Sequence, residues 1–441
     1  MAIEINEMKL PMSVDDAVSY LQHQTDSFGL FLDLDRLGEY DLELQLRAKT
    51  FGNAVRANLK MNLSDKLTND VVKQYLINKL NVPSYKFRNK DGDNSFDKNV
   101  RAIMITDTSL SEDARHIIEL YDGYSRAKYV KGYIGQYLEC PMCNAMSYNN
   151  HRMVVAHPKW NPLRTGRISA SEPSMQNIPR YMKDLITAPK GWILRRADSD
   201  QIEPRITYSW FYPDKLIRNI ITAYGDAYAG IMHYTLLTPE QDALYRKDFN
   251  QFKKIEISDD FKDKRQMFKK LTLQANYGSN LDGIPSDIAT AYKNKIINHP
   301  LKVQKEAELR EAVNRGVEKF YTAFGSEIVP ESTAKYKRGT SSWREHVFRC
   351  GLNNPIQGTA SDLMLFSIDK VKKLQAKYSG INVAFYKHDE GAIYIEEDTY
   401  DKVKDELEDL TAYNVKDWIP ITCEVEDGQL LSTEEVPTVL C

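Results

Sequence analysis

The chain has 441 residues, of which 42% are hydrophobic and 27% charged, and a formal net charge of −3. This composition excludes a disordered, fibrous or generally basic nucleic-acid-coating protein, and the length sets an expectation of about three domains or lobes. Five cysteines, an odd number, do not suit a disulfide framework, and no apolar run reaches the ~18 residues of a membrane span.

The opening MAIEINEMKLP carries acids where a signal peptide would have an apolar core, so the chain is expected in the cytoplasm. Residues 1–25 read as a lead-in. Residues 26–155 read as a mainly helical region, with Lys and Arg frequent from 44 to 102 and a polar loop at FRNKDGDNSFDKN. Cys140-x2-Cys143 followed by His151 and His157 loosely imitates a zinc knuckle. Only two of these ligands are tightly spaced, and an ordinary turn is expected.

GWILRRAD, ending at Asp198, has the Trp-Ile-Leu run of a short buried strand that breaks into polar residues. The segment KRQMFKKLTLQANYG then predicts a helix, with Ser258, Asp259 and Asp260 as candidate caps and Gly278 as a stop. Arg265, Lys269, Leu273 and Tyr277 fall at every fourth position and form one slowly drifting stripe: two cations, an apolar residue and an aromatic ring. Such a face could hold a nucleotide lengthwise, although a solvated amphipathic helix shows the same spacing. Further on, INVAFYKHDEGAIYIEE alternates as a β-hairpin with Asp389 and Glu390 at its tip.

If Asp198 and Asp389 converge, their repulsion would be about 4 kcal/mol at ~4 Å and an effective dielectric near 20, so the pair calls for cations. Magnesium takes one or two protein carboxylates plus waters and substrate phosphates. Two aspartates with Glu390 nearby therefore suffice for a two-ion site.

Five blocks in order carry a resemblance: RTGRISASEPSMQNIPR at 164–180, DSDQIEPR at 198–205, the Arg265, Lys269, Tyr277, Gly278 helix, RCGLNNPIQGTASD at 349–362, and KHDE at 387–390. Together they resemble the family A DNA polymerases. FGLFLDLDRL at 28–37 and YDGYSRAKYVKGYIGQYLE at 121–139 extend the likeness upstream, to about residues 25–410.

The resemblance implies an α+β right-hand fold with an antiparallel palm sheet, helical fingers and a helical thumb. Residues 1–25 would be the lead-in, 26–155 the thumb with the segment that opens the polymerase region, 156–215 the first part of the palm, 216–340 the fingers and 341–441 the rest of the palm. It further implies template-directed DNA synthesis by two-metal nucleotidyl transfer. The nucleotidyl group would pass from a dNTP to a primer 3′-hydroxyl with release of pyrophosphate, with two Mg²⁺ ions (Mn²⁺ as the alternative) on Asp198 and Asp389 and with Glu390 as a catalytic neighbour.

By the same resemblance Arg265 and Lys269 clamp the triphosphate, Lys269 supplies a proton to the leaving group, and Leu273 and Tyr277 line the nucleotide. Gln201 contacts triphosphate or sugar, and Glu203 is a steric gate against the ribose 2′-hydroxyl. Arg167, Gln176, Asn177, Arg349, Asn353, Gln357 and His388 match positions that touch primer-template DNA. The expected partners are that DNA, dNTPs and replication accessory proteins, with the enzyme a monomer without membrane association. The compact form suggests a phage or mobile-element enzyme without a 3′–5′ proofreading exonuclease, acting in the host cytoplasm.

The chain departs from the family at Leu273, where Phe or Tyr is usual, at Pro204 after the gate, and at Ser199-Asp200, where Tyr-Ser is usual. Asp200 is expected to face solvent. Two rival readings remain: a single-subunit RNA polymerase, which would have no reason to keep Glu203, and a non-catalytic DNA clamp, for which intact Asp198, Asp389, Arg265 and Lys269 would be superfluous.

Overall fold

A computed structural model describes the chain except residues 1, 89–93, 140–142, 149–150, 173, 175–177, 179–184, 256–257, 277–283, 408 and 428–441. Residues 30–158 with 172–187 form one compact unit; residues up to 29, 159–171 and 188–427 form the other.

In the unit of residues 30–158, four helices, Leu34–Leu59, Asn69–Leu80, Lys98–Thr106 and Glu112–Glu139, enclose an apolar cluster that includes Val55, Val72, Leu76, Phe87, Val100 and Ile118. Asp33, Thr68 and Asp97 cap the first three by accepting backbone N–H groups, and Lys60 and Asn81 end two of them in the left-handed conformation. The two long helices approach at paired glycines. A Cβ on Gly52 would lie 3.1 Å from the Tyr124 ring, and one on Gly123 would lie 3.1 Å from the Phe51 ring. Beneath them Arg101 and Asp122 form a buried ion pair at 2.8 Å. A three-stranded antiparallel sheet places His151–Ala156 between Leu30–Asp33 and Cys143–Tyr148. Cys143 and His151 thus belong to paired strands. Cys140 lies outside the described residues, among which no group of three His, Cys, Asp or Glu is placed to hold a metal.

The other unit is built on a four-stranded antiparallel sheet of β1 (Trp192–Ser199), β2 (Ile381–Lys387), β3 (Glu390–Glu396) and β4 (Cys423–Asp427), in the order β2-β3-β1-β4. The central strands are apolar on both faces, with Leu194, Ala197, Ile393, Tyr394 and Ile395 all buried, because helices cover the sheet. After β1 the chain turns through Gln201, left-handed at φ 49°, into α1 (Ile202–Ile206), which runs on as a π-helical turn over Thr207–Phe211. Among the helices that follow are α2 (Ala227–Leu236) and α3 (Asp259–Asn276), which pack around Ile220, Ile231, Phe268, Leu271 and Tyr292. Gly230 is required there, since a Cβ would come within 2.7 Å of the Ile221 Cα. The 37-residue α4 (Ser341–Lys377) then leads back to β2, burying Ile356, Ala360 and Leu363.

The structure agrees with the predicted strand, helix and hairpin and refines one boundary. The hairpin turn is the two residues His388 and Asp389, with His388 left-handed at φ 56°, so Glu390 already belongs to β3 rather than to the tip. Among the described residues no helix is long and apolar enough to cross a membrane.

Candidate active site

Antiparallel pairing brings the two aspartates to one end of the sheet. Asp198 on β1 stands directly opposite Glu390 on β3, and the Ser199 N–H donates to the Asp389 carbonyl at 3.0 Å. Burial pushes the Asp389 carboxyl up to about 6, with further upward pressure from the charges of Asp198 and Glu203 and partial relief from Arg167. Asp198 and Asp389 offer carboxylate oxygens of the kind that could hold hard divalent cations.

Glu390, predicted as a third acid, is buried and ion-paired with Arg196, the residue diagonal to it on β1. Its place is thus under the aspartates and against a cation. Glu424 on β4 flanks Asp198 from the other side in register, a neighbour that the sequence reading did not single out.

Glu203, on the first turn of α1, accepts from Arg167 at 2.8 Å. Arg167 sits in a tight loop whose Gly166 is left-handed at φ 78°. Gly358 of α4 makes room for that loop: a Cβ there would stand 3.2 Å from the Thr165 carbonyl and 2.7 Å from Ile328 Cδ1. The Gly in QGTASD is therefore a packing requirement that holds Arg167 against the gate candidate. His388 stands beside this corner, its pKa lowered by partial desolvation and by the charges of Arg167 and Lys387.

The predicted stripe begins on α3 with Ser258 capping the helix by accepting from Phe261 N at 3.2 Å. Arg265 does not stand free: it donates to Asp226, the N-cap of α2, through Nε at 2.9 Å and through a terminal nitrogen. Gln201 donates to the same carboxylate at 3.0 Å and accepts from Ala227 N at 2.6 Å. Burial alone would raise the Asp226 pKa, but the bonds from Arg265, Ala229 N–H and Gln201 outweigh it and hold the group below its ordinary value. Arg205, almost fully buried, fixes this corner by donating to the carbonyls of Asp200, Pro420 and Gly225 at 2.8, 2.5 and 2.6 Å.

Tyr228 lies between the two cations of the stripe, with Arg265 5.8 Å and Lys269 5.9 Å from its ring centre. Its phenol is pushed up to about 12, first by burial and then by the charges of Glu203 and Asp226; Asp389 adds to the rise and Arg265 opposes it. Tyr228 is thus influenced both by Arg265 of the stripe and by Asp389 of the acid pair. Neither Asp226 nor Tyr228 was singled out from the sequence; the Gly-Asp pair preceding a helix was the available signal for Asp226.

Leu273 belongs to α3 by backbone, but its side chain, like the whole of Tyr277, Gln176 and Asn177, lies outside the described residues. Arg349, Asn353 and Gln357 fall on one line along α4, Arg349 exposed and the other two half-buried. Asp200 is half-buried and accepts from the Thr422 hydroxyl at 2.8 Å.

Residues 35–432 match the DNA polymerase family A profile. The thermostable DNA polymerase I of Thermus thermophilus is 25% identical over 419 residues, which cover 88% of this chain and 44% of that protein. DNA polymerase I of Pseudomonas aeruginosa is 26% identical over 280 residues, covering 60% of this chain and 28% of that protein. The chain thus spans less than half the length of these curated relatives. A solved structure described as the POL domain of Pol1 from M. smegmatis, in complex with DNA primer-template and dNTP, superposes with a TM-score of 0.72 at 18% identity, over 94% of this chain and 69% of that one. The fold is that of the α+β right-hand polymerases, and with nearly all of its length matching the profile, this chain belongs to DNA polymerase family A.

Proposed function

We propose that the chain carries out template-directed DNA synthesis, extending a primer 3′-hydroxyl with dNTPs on primer-template DNA. The observation that carries this reading is the convergence of Asp198, Asp389 and Glu203 at one sheet end, beside Gln201 and the Arg265–Lys269 stripe of α3. On this reading 156–215 and 341–441 are palm, 216–340 fingers, and 26–155 thumb with the segment leading into it.

Two Mg²⁺ ions held by Asp198 and Asp389 would supply Lewis acidity, lowering the pKa of the primer hydroxyl and neutralising charge on the phosphates. The chain's own groups do the rest. Arg265 and Lys269 bind phosphate oxygens and orient the triphosphate, and Lys269, exposed at the end of its stem, delivers a proton to departing pyrophosphate. Glu203, held by Arg167 at 2.8 Å, fills the volume a ribose 2′-hydroxyl would need. Arg196 keeps Glu390 fixed behind the aspartates, so the strand end does not splay under their mutual repulsion. Arg349, Asn353, Gln357, Arg167 and His388 contact DNA along the duplex side, where minor-groove acceptors are alike for A·T and T·A and shape can be checked without reading sequence.

Primer extension with dNTPs or rNTPs on one template tests the reading. The expected result is Mg²⁺-dependent dNTP addition that Asp198→Asn or Asp389→Asn abolishes while leaving primer-template binding in place. Addition that persists in both variants would refute the assignment.

A further inference from the structure

Asp226 has no place in the chemistry above, yet its carboxylate is heavily bonded beside the nucleotide helix. One oxygen, Oδ1, caps α2 by accepting from Ala229 N at 2.7 Å. The other, Oδ2, receives both donors of Arg265 and the Gln201 side chain. Arg265 is assigned to the incoming triphosphate, and Gln201 to its phosphates or sugar. The contrast along the stripe is informative: Lys269, one turn after Arg265, has no carboxylate partner among the described residues and lies 5.9 Å from the centre of the Tyr228 ring. Arg265 and Asp226 are each about three-quarters shielded from solvent, so their attraction is only partly screened.

We propose that Asp226 Oδ2 stands in for the triphosphate in the substrate-free chain, occupying Arg265 and Gln201 until a nucleoside triphosphate displaces it. The inference rests on the polymerase reading and adds a selection step to it. Binding then exchanges one charge-assisted pair for another, so an anion gains only by the excess of its charge over that of a single carboxylate. A triphosphate, with several negative oxygens, carries that excess; inorganic phosphate carries far less. Asp226 thereby lowers affinity for every anion and excludes the weak ones, while keeping the guanidinium turned toward the site. It is a positioning residue, acting through Arg265 and Gln201.

Asp226→Asn removes the charge and keeps an amide oxygen able to cap α2, and Asp226→Ser is a second variant that caps the helix without a carboxylate. The expected result in single-nucleotide incorporation is a KM for dNTP about three- to tenfold lower than wild type, the change falling on KM rather than kcat. Calorimetric titration with tripolyphosphate, which needs no turnover, should show binding tighter by the same factor, and with inorganic phosphate a new measurable affinity. An unchanged or raised KM, or unchanged tripolyphosphate affinity, in whichever variant keeps the wild-type melting profile overturns the proposal. A wild-type chain that adds no dNTP overturns the polymerase reading instead, and the tripolyphosphate titration still decides the role of Asp226.

Discussion

Asp362 offers a quantitative test of how burial sets energies in this fold. Its side chain lies within α4, 1% exposed, and accepts from the hydroxyls of Thr322 and Ser326, which pins the hairpin of Phe320–Tyr321 and Glu327–Ile328 to the helix. No cation pairs with it among the described residues, and burial raises its pKa to about 6 from an ordinary 3.8, against the lowering effect of the two hydroxyls. Because the folded pKa exceeds the unfolded one, the native state holds the proton more tightly. The stability this contributes is fully present below the unfolded value and is lost as pH rises through the folded one. At about 1.4 kcal/mol per tenfold, the loss totals about 3 kcal/mol, roughly half of it between about pH 5 and pH 8. Asparagine does not titrate, so Asp362→Asn should gain on wild type by about 1.5 kcal/mol across that interval. Paired urea denaturation curves at the two pH values measure the difference directly, since every other titrating group cancels between the two proteins. Parallel pH profiles would refute the argument, because they would mean the carboxylate is ionised at no energetic penalty inside the fold.

Three further outcomes are expected. Glu203→Ala should raise the ratio of ribonucleotide to deoxynucleotide incorporation by roughly 10- to 100-fold, about 1.4 to 3 kcal/mol of transition-state discrimination, measured as the ratio of kcat/KM values. Leu273→Tyr should raise dideoxynucleotide incorporation, and equal ratios in the two proteins would refute that position's role. Gly230→Ala should lower the thermal midpoint, since the added methyl meets Ile221 Cα at 2.7 Å and Cγ1 at 2.8 Å, an overpacking of about 1–3 kcal/mol that outweighs alanine's better helix propensity.

What the sequence disclosed and what it concealed divide along a physical line. The Trp192 strand, the α3 stripe with its Ser258 cap and the alternating hairpin all rest on short-range signals: apolar runs, fourfold spacing and turn residues. The pairing of Glu390 with Arg196 needs the cross-strand register of β1 and β3, which no local pattern encodes, so the sequence placed that glutamate in the turn. The seat of Tyr228 between two cations and the hold of Asp226 on Arg265 come from the packing of α2 against α3 and were likewise hidden. Glycines 166, 230 and 358 carry no local sequence signal that tells their roles apart. Only the structure separates the one that sets a turn from the two that admit a neighbouring chain.

The paired glycines of the two long helices, Leu34–Leu59 and Glu112–Glu139, have a mechanical consequence. Each helix seats an aromatic ring, Phe51 or Tyr124, over the bare backbone of the other, so the contact works like two pegs in opposed sockets. Sliding either helix by one residue would drive a ring into a neighbour's Cβ at both points at once. The two contacts together resist movement along the helix axes, as close packing of ring against backbone does.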